Sequence, residues 1–205
     1  MIIDYSNKDH ALFCGMEYFE DSDQIIFQKG DTFTDVTFLN FPNINFAGLV
    51  LKNCVFKNCQ SVAVHGCVLE GCTYDNVSDA FAQASKLDGC VFDSCCASYN
   101  SLLTLEGEGE ITGCTFKHIT VLGEDGCVIH SIYHEKENIR PLTNCRFEDC
   151  EVESGRVTLC EYLVTMEVYK TEVVDNVDYE SCSFDWDDCA IEIGSFELEV
   201  PEYDD

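Results

Sequence analysis

Positive charge is scarce in this 205-residue chain: 11 lysines and arginines stand against 39 aspartates and glutamates, for a formal net charge of −28. Such a surface repels DNA, RNA and anionic lipid, which excludes ordinary electrostatic attraction to any of them. No run approaches the roughly 18 apolar residues of a membrane span, and helical periodicity is weak throughout. The opening residues, Met1-Ile2-Ile3-Asp4-Tyr5, contain neither a basic segment nor a long apolar one, so no secretory signal is expected there. No catalytic signature is present. The composition, 46% hydrophobic and 24% charged, is nevertheless that of a globular chain and excludes wholesale disorder. Its length allows one large domain whose core needs no staples.

Cysteine is abundant, with 15 residues. An odd count leaves at least one thiol unpaired within the chain, and the cysteines recur in a fixed register with apolar neighbours, as small core fillers do. Zinc is the competing reading, but the close spacings are mostly C-x₄-C plus the adjacent pair Cys95-Cys96. The one histidine pair at ligand-like spacing, His130 and His134, lacks a matched cysteine pair. Reduced structural thiols are therefore expected, with no metal and no cofactor, in a reducing cytoplasm of a bacterium or, for a phage-encoded chain, of its host.

The cysteines open a six-residue motif: Cys54-Val55-Phe56-Lys57-Asn58-Cys59, Cys67-Val68-Leu69-Glu70-Gly71-Cys72, Cys90-Val91-Phe92-Asp93-Ser94-Cys95, Cys114-Thr115-Phe116-Lys117-His118-Ile119 and Cys145-Arg146-Phe147-Glu148-Asp149-Cys150. Val36-Thr37-Phe38-Leu39-Asn40-Phe41 is a degenerate first copy, and Cys182-Ser183-Phe184-Asp185 an imperfect last one. The residues before these cysteines (Asn53, Gly66, Gly89, Gly113, Asn144, Ser181) are small or polar, as a bend requires. Alternation places Cys and Phe on one face of a short strand. Between copies lie further strand-like runs, such as Val62-Ala63-Val64, Ala80-Phe81-Ala82 and Leu102-Leu103-Thr104-Leu105. Strands this short do not make a sandwich. They suit a solenoid in which Cys stacks on Cys and Phe on Phe, with about 23 residues per coil. Motif starts are separated by 18, 13, 23, 24, 31 and 37 residues, and the 13-residue step does not fit that coil.

These G-C-x-F-x-x-C repeats resemble those of right-handed parallel β-helix proteins of the pectate-lyase-like superfamily, over about residues 36–190. A lesser resemblance, to pentapeptide-repeat proteins, rests on Thr37-Phe38-Leu39-Asn40 and Cys54-Val55-Phe56-Lys57-Asn58-Cys59 and fails after about Tyr74. The expected fold is all-β: a right-handed parallel β-helix solenoid with capped ends and two longer loop insertions, Ser131 to Thr143 and Glu161 to Glu180. Its expected divisions are an N-terminal cap (1–30), the coils (31–190) and a C-terminal acidic edge strand and tail (191–205). The second insertion reads as a hairpin leaning on the solenoid. The β-helix fold hosts lyases, hydrolases, adhesins and inert scaffolds, so the resemblance leaves activity open.

A lyase site with calcium would need converging carboxylates and an arginine. Asp185, Asp187 and Asp188 are such a cluster, yet nothing pairs them with Arg140, Arg146 or Arg156 in a recognisable motif. His65-Gly66 is a fragment of a glycosidase motif without its companions. Cys114 with His118, and Cys127 with His130, are close in sequence, but the repeat register already explains Cys114 and no basic surround activates it. The expectation is a non-enzyme.

Charge then becomes the functional clue. About eight coils at ~4.8 Å each would carry roughly 0.7 negative charges per Å, against roughly 0.6 for duplex DNA. After Lys170 there are 13 acidic residues and no basic one. Asp175, Asp178, Glu180, Asp185, Asp187 and Asp188, with Trp186 as aromatic anchor, are the expected partner-binding surface. The resemblance to acidic β-helical and pentapeptide-repeat proteins that imitate DNA, gyrase inhibitors among them, and to phage-encoded antagonists of restriction or CRISPR complexes, implies an inhibitor of a basic nucleic-acid-binding protein. Two alternatives remain: a carbohydrate-binding or carbohydrate-cleaving β-helix, and a scaffold that dimerises through an outer stripe of Val55, Val68 and Val91.

Overall fold

A computed structural model describes residues 1–6, 17–19, 24–28, 32–97, 101–107, 109–122, 126–133, 142–152, 156–164, 167–171, 174–175 and 178–180; these form 27 strands and, among the described residues, no helix. Three sheets take nearly all of them. Sheet A stacks β1 (Ile2–Asp4), β5 (Thr37–Leu39), β8 (Val55–Lys57), β11 (Thr73–Asp75), β14 (Val91–Asp93), β18 (Thr115–Lys117), β22 (Arg146–Glu148) and β27 (Asp178–Glu180). Sheet B stacks β2 (Glu17–Phe19), β3 (Gln24–Gln28), β6 (Asn43–Ala47), β9 (Ser61–His65), β12 (Asp79–Gln83), β16 (Leu103–Glu106), β20 (Cys127–Tyr133), β24 (Arg156–Val164) and β25 (Glu167–Thr171). Sheet C runs from β4 (Thr32–Thr34) through β7 (Val50–Lys52), β10 (Val68–Glu70), β13 (Lys86–Asp88), β17 (Glu110–Thr112) and β21 (Leu142–Thr143) to β26 (Val174–Asp175). A small sheet D, of β15 (Cys96–Ala97), β19 (Thr120–Val121) and β23 (Glu151–Val152), fills the A-to-B corner where the later circuits lengthen.

The chain thus visits A, B and C in turn, and every pairing between successive circuits is parallel. Antiparallel pairing occurs at the two ends of sheet B, β2 with β3 and β24 with β25. The second of these pairs is the hairpin expected within the later insertion. Within residues 1–30, β1 and β3 are the first rungs of sheets A and B.

The register corrects the coil length. Thr37, Val55, Thr73 and Val91 stand in one file, 18 residues apart, before the file continues to Thr115, Arg146 and Asp178. The awkward 13-residue step vanishes, because Cys54-Val55-Phe56 belongs to sheet A and Cys67-Val68-Leu69 to sheet C. The sheet A motif one circuit after Cys54 is Cys72-Thr73-Tyr74-Asp75-Asn76-Val77, hidden because Tyr replaces Phe and Val replaces the closing Cys.

The interior is built of files. On sheet A, Phe38, Phe56, Tyr74, Phe92, Phe116 and Phe147 stack, the last three ring pairs lying 4.3, 4.7 and 4.9 Å apart and within 12° of parallel. Sheet C faces them with Leu51, Leu69, Leu87 and Ile111, and sheet B with the buried members of β6, β9, β12 and β16. Cys54, Cys72, Cys90, Cys114 and Cys145 form a file at the C-to-A corner, where the thiols of neighbouring rungs interact. Each also reaches a main-chain carbonyl, as Cys72 does at Leu51 O, 3.3 Å away. The eleven cysteines whose side chains are described are all free.

The described bends between the three sheets each have a residue at positive φ. One file of bends is Asn40, Asn58 and Asn76, with φ of 61°, 53° and 56°. Asparagine tolerates this conformation because its short side chain hydrogen-bonds locally. Here the Nδ2 groups also link rungs, Asn76 donating to Asn58 Oδ1 at 2.9 Å and Asn40 to Asp4 Oδ1 at 3.0 Å. The bend N–H groups keep pairing between circuits, as in Asn58 N to Asp75 O at 3.0 Å.

Candidate functional site

Outward positions on sheets A and C are held by ion pairs that step from one rung to the next. Lys52 meets Glu70 at 2.7 Å, Lys86 meets Glu110 at 2.9 Å, Lys117 meets Asp93 at 3.0 Å, and Lys57 pairs with Asp75. Half-exposed pairs of this kind contribute about 0–1 kcal/mol each. The densest cluster surrounds Asp93, which accepts from the His118 ring at 2.8 Å and the Ser94 hydroxyl at 3.1 Å besides Lys117. Desolvation works to raise the Asp93 carboxyl, but the His118, Lys117 and Ser94 hydrogen bonds outweigh it and bring it down to about 2.

The proposed acidic surface lies at the far end of this stack. Asp175 is in register with Thr143 on sheet C, while Asp178 and Glu180 are in register with Arg146 and Glu148 on sheet A. Asp185, Trp186, Asp187 and Asp188 lie outside the described residues. The three valines do not form one stripe. Val55 and Val91 stand on sheet A with Thr73 between them, whereas Val68 stands on sheet C beside Val50. The hexads look alike on both faces because both need a small corner residue and an apolar inward residue.

Nor are the proposed thiol–histidine pairs assembled around a common point. Cys114 is fully buried with its thiol 3.6 Å from Leu87 O, while the His118 side chain is half-exposed against Asp93. Cys127 is buried and donates to Ile129 O at 3.3 Å. Burial pushes the Cys59 and Cys95 thiols up to about 11, so neither is a nucleophile at neutral pH. Among the described residues, no group of three or more His, Cys, Asp or Glu is arranged to hold a metal ion. No described helix is long and apolar enough to cross a membrane.

Sheet B carries an outer surface that the hexads do not reveal. Its outward residues on three successive rungs are Ser61, Ala63 and His65, then Asp79, Phe81 and Gln83, then Thr104 and Glu106. Ser61 donates to Asp79 at 3.3 Å. The His65 ring lies 5.6 Å from Phe81 and 3.2 Å from Gln83 Oε1, and Gln83 donates to Glu106 at 3.3 Å. The signal for Phe81 was its setting: a large aromatic between Ala80 and Ala82, which point inward, must face out. No protein-family model matches the sequence, and a search of curated proteins finds no match.

Proposed function

We propose that the three sheets close into a right-handed parallel β-helix, and that this rod is a non-enzymatic, anionic binding protein for a basic nucleic-acid-handling partner. Handedness follows the strong preference of parallel crossovers for the right hand. The partner reading rests on how charge is laid along the rod. Residues 36–69 contain no Asp or Glu, whereas residues 106–205 contain 26 of them and only 6 Lys or Arg, a net charge of −20. Because the described circuits stack in chain order, the uneven charge of their sequence becomes uneven along the stack. Residues 1–35 carry a net −6, so the even line of charge expected from composition gives way to a weakly charged, ion-paired middle with an anionic stretch on either side, the later one the larger. Such a stretch attracts a cationic surface and releases its counterions, as a nucleic acid would.

The test is capture of basic proteins on immobilised protein, with duplex DNA as competitor. Release by DNA and by about 0.5 M salt, where screening acts within ~4 Å, is expected. The triple variant Asp175→Asn, Asp178→Asn, Glu180→Gln should retain several-fold less. Capture indifferent to both DNA and the triple variant would overturn the reading.

A further inference from the structure

The cations of the rod are unevenly placed. Lys52, Lys57, Lys86, Lys117 and Arg146 stand on sheets A and C, while Arg156 and Lys170 stand on the last two strands of sheet B, β24 and β25. On rungs β9, β12 and β16 the outer face of sheet B has carboxylates and an aromatic ring but no lysine or arginine. Asp79 has the Ser61 hydroxyl beside it, and burial pushes its carboxyl above the ordinary value. A carboxylate in that condition gains from a cation brought to it.

A second, independent feature lies one rung away. Asn45 alternates with the inward-facing Ile44 and Phe46, so it points outward on sheet B beside Ala63. It is only 9% exposed, and its Nδ2 has no hydrogen-bond partner among the described residues. A buried amide donor left this way is unfavourable until an acceptor reaches it. Ala63 has a shorter side chain than Asn45 and Phe81 on either side of it, leaving a gap over its methyl group between two rungs whose backbones are about 10 Å apart. The Phe81 ring borders that gap and is held by His65, itself fixed through Gln83 to Glu106.

We propose that this face binds an arginine side chain of an extended cationic segment, the guanidinium lying against Phe81 over Ala63, Asp79 accepting its N–H groups, and Asn45 donating to a main-chain carbonyl of the same segment. This deepens the reading of a cationic partner given above and rests on it, though not on that partner's handling nucleic acid. Arginine fits better than lysine. Its planar group stacks on an aromatic face within about 6 Å while its fork of donors stays free for a carboxylate at the side. Phe81 and Asp79, two residues apart on one strand face, are about 7 Å apart, within that reach.

The probes are N-acetyl tri-arginine amide and its tri-lysine counterpart, titrated into the full chain and followed by NMR at the Phe81 ring and the Asn45 side-chain amide. Tri-arginine should shift both signals and bind about three-fold or more tighter than tri-lysine. Ala63→Leu fills the gap without changing any charge, and Phe81→Leu removes the ring; each should weaken tri-arginine by about five-fold or more. Circular dichroism melts confirm that each variant is folded, and Ala63→Leu decides the matter where Phe81→Leu is not. Equal affinity for the two peptides, or tri-arginine binding indifferent to Ala63→Leu, would overturn the site. The triple variant at Asp175, Asp178 and Glu180 should leave tri-arginine binding at this face intact. Tri-arginine binding here without DNA-competed capture would sink the nucleic-acid reading and keep the site; the converse would sink the site alone.

Discussion

Cysteine suits the corners of this rod for two reasons that act together. A corner side chain must be small, because three chain directions converge there, and it must tolerate carbonyl groups close by. The thiol meets both demands as a small hydrophobe with a weak donor. Cys95 illustrates the geometry, with Sγ 3.5 Å from Tyr74 O and 3.4 Å from Asp93 O. Ser85 shows that the donor matters: one circuit on from Cys67, it donates to Val64 O at 3.2 Å and accepts from Cys67 N at 3.0 Å. Thiols this buried are inert. Of the eleven cysteines whose side chains are described, Cys96 is exposed and ten are buried. Iodoacetamide on the native protein should therefore label Cys96 and leave those ten unmodified, with all eleven labelled after denaturation, as peptide mass spectrometry would read. Native labelling along the file from Cys54 to Cys145 would mean that the corners are open.

Bends, more than strands, define the circuit, and their backbone conformation offers a sharp test. Gly71 sits at φ 62°, and a Cβ there would come within 2.9 Å of Asn53 Oδ1. Gly71→Ala should cost about 1–2 kcal/mol, measured by urea denaturation. Ala84 occupies the equivalent conformation at φ 47° with no such compensation as asparagine has. Ala84→Gly removes about 1–2 kcal/mol of strain against roughly 0.5–1 kcal/mol of added chain entropy, so a net gain of up to about 1.5 kcal/mol is expected. Loss of stability in that variant would contradict the bend geometry. Such bends were readable in advance: Asn53, Gly66, Gly89, Gly113 and Asn144, singled out for preceding a cysteine, all have positive φ. The stacking of Phe56 and Phe92 in one inward file was readable too. What misled was the motif's indifference to its face. Cys67-Val68-Leu69 and Cys54-Val55-Phe56 obey one rule of small corner and apolar inward residue, so the hexads could not separate sheet C from sheet A. The period came out too long, and Val68 was placed with Val55 and Val91. Phe81 and Asn45 escaped notice because strands of sheet B carry no cysteine motif, and an outward residue breaks no pattern that the core imposes.

Once circuits of equal length stack in register, the rod becomes a one-dimensional object in which each turn interacts mainly with its neighbours. Charge follows the same logic. Along sheet A the third strand position reads Lys57, Asp75, Asp93 and Lys117, so each lysine is answered by an acid on an adjacent rung. A single circuit duplicated in tandem would add a further pair of like charges, but two circuits give the copied Lys57 an acid on either side. Inserting a second copy of residues 55–90 after Cys90 places the copied Lys57 beside Asp75 and the copied Phe56 over Tyr74, and leaves Asp93 beside the copied Asp75 as in the parent. It adds two rungs, about 10 Å. The lengthened protein should fold with a melting temperature no lower than the parent's, and X-ray scattering should show a longest dimension greater by about that amount. A copy of residues 68–90 has the 23-residue spacing that the hexads suggest. It would deliver Val68-Leu69-Glu70 to sheet A and then overrun the 18-residue circuit by five residues, bringing Val91 to the wrong sheet, so it should be extruded as a loop or unfold the later turns. Equal behaviour of the two insertions would show that the 18-residue register does not govern the stack, and with it the axial ordering of charge on which the later anionic stretch depends.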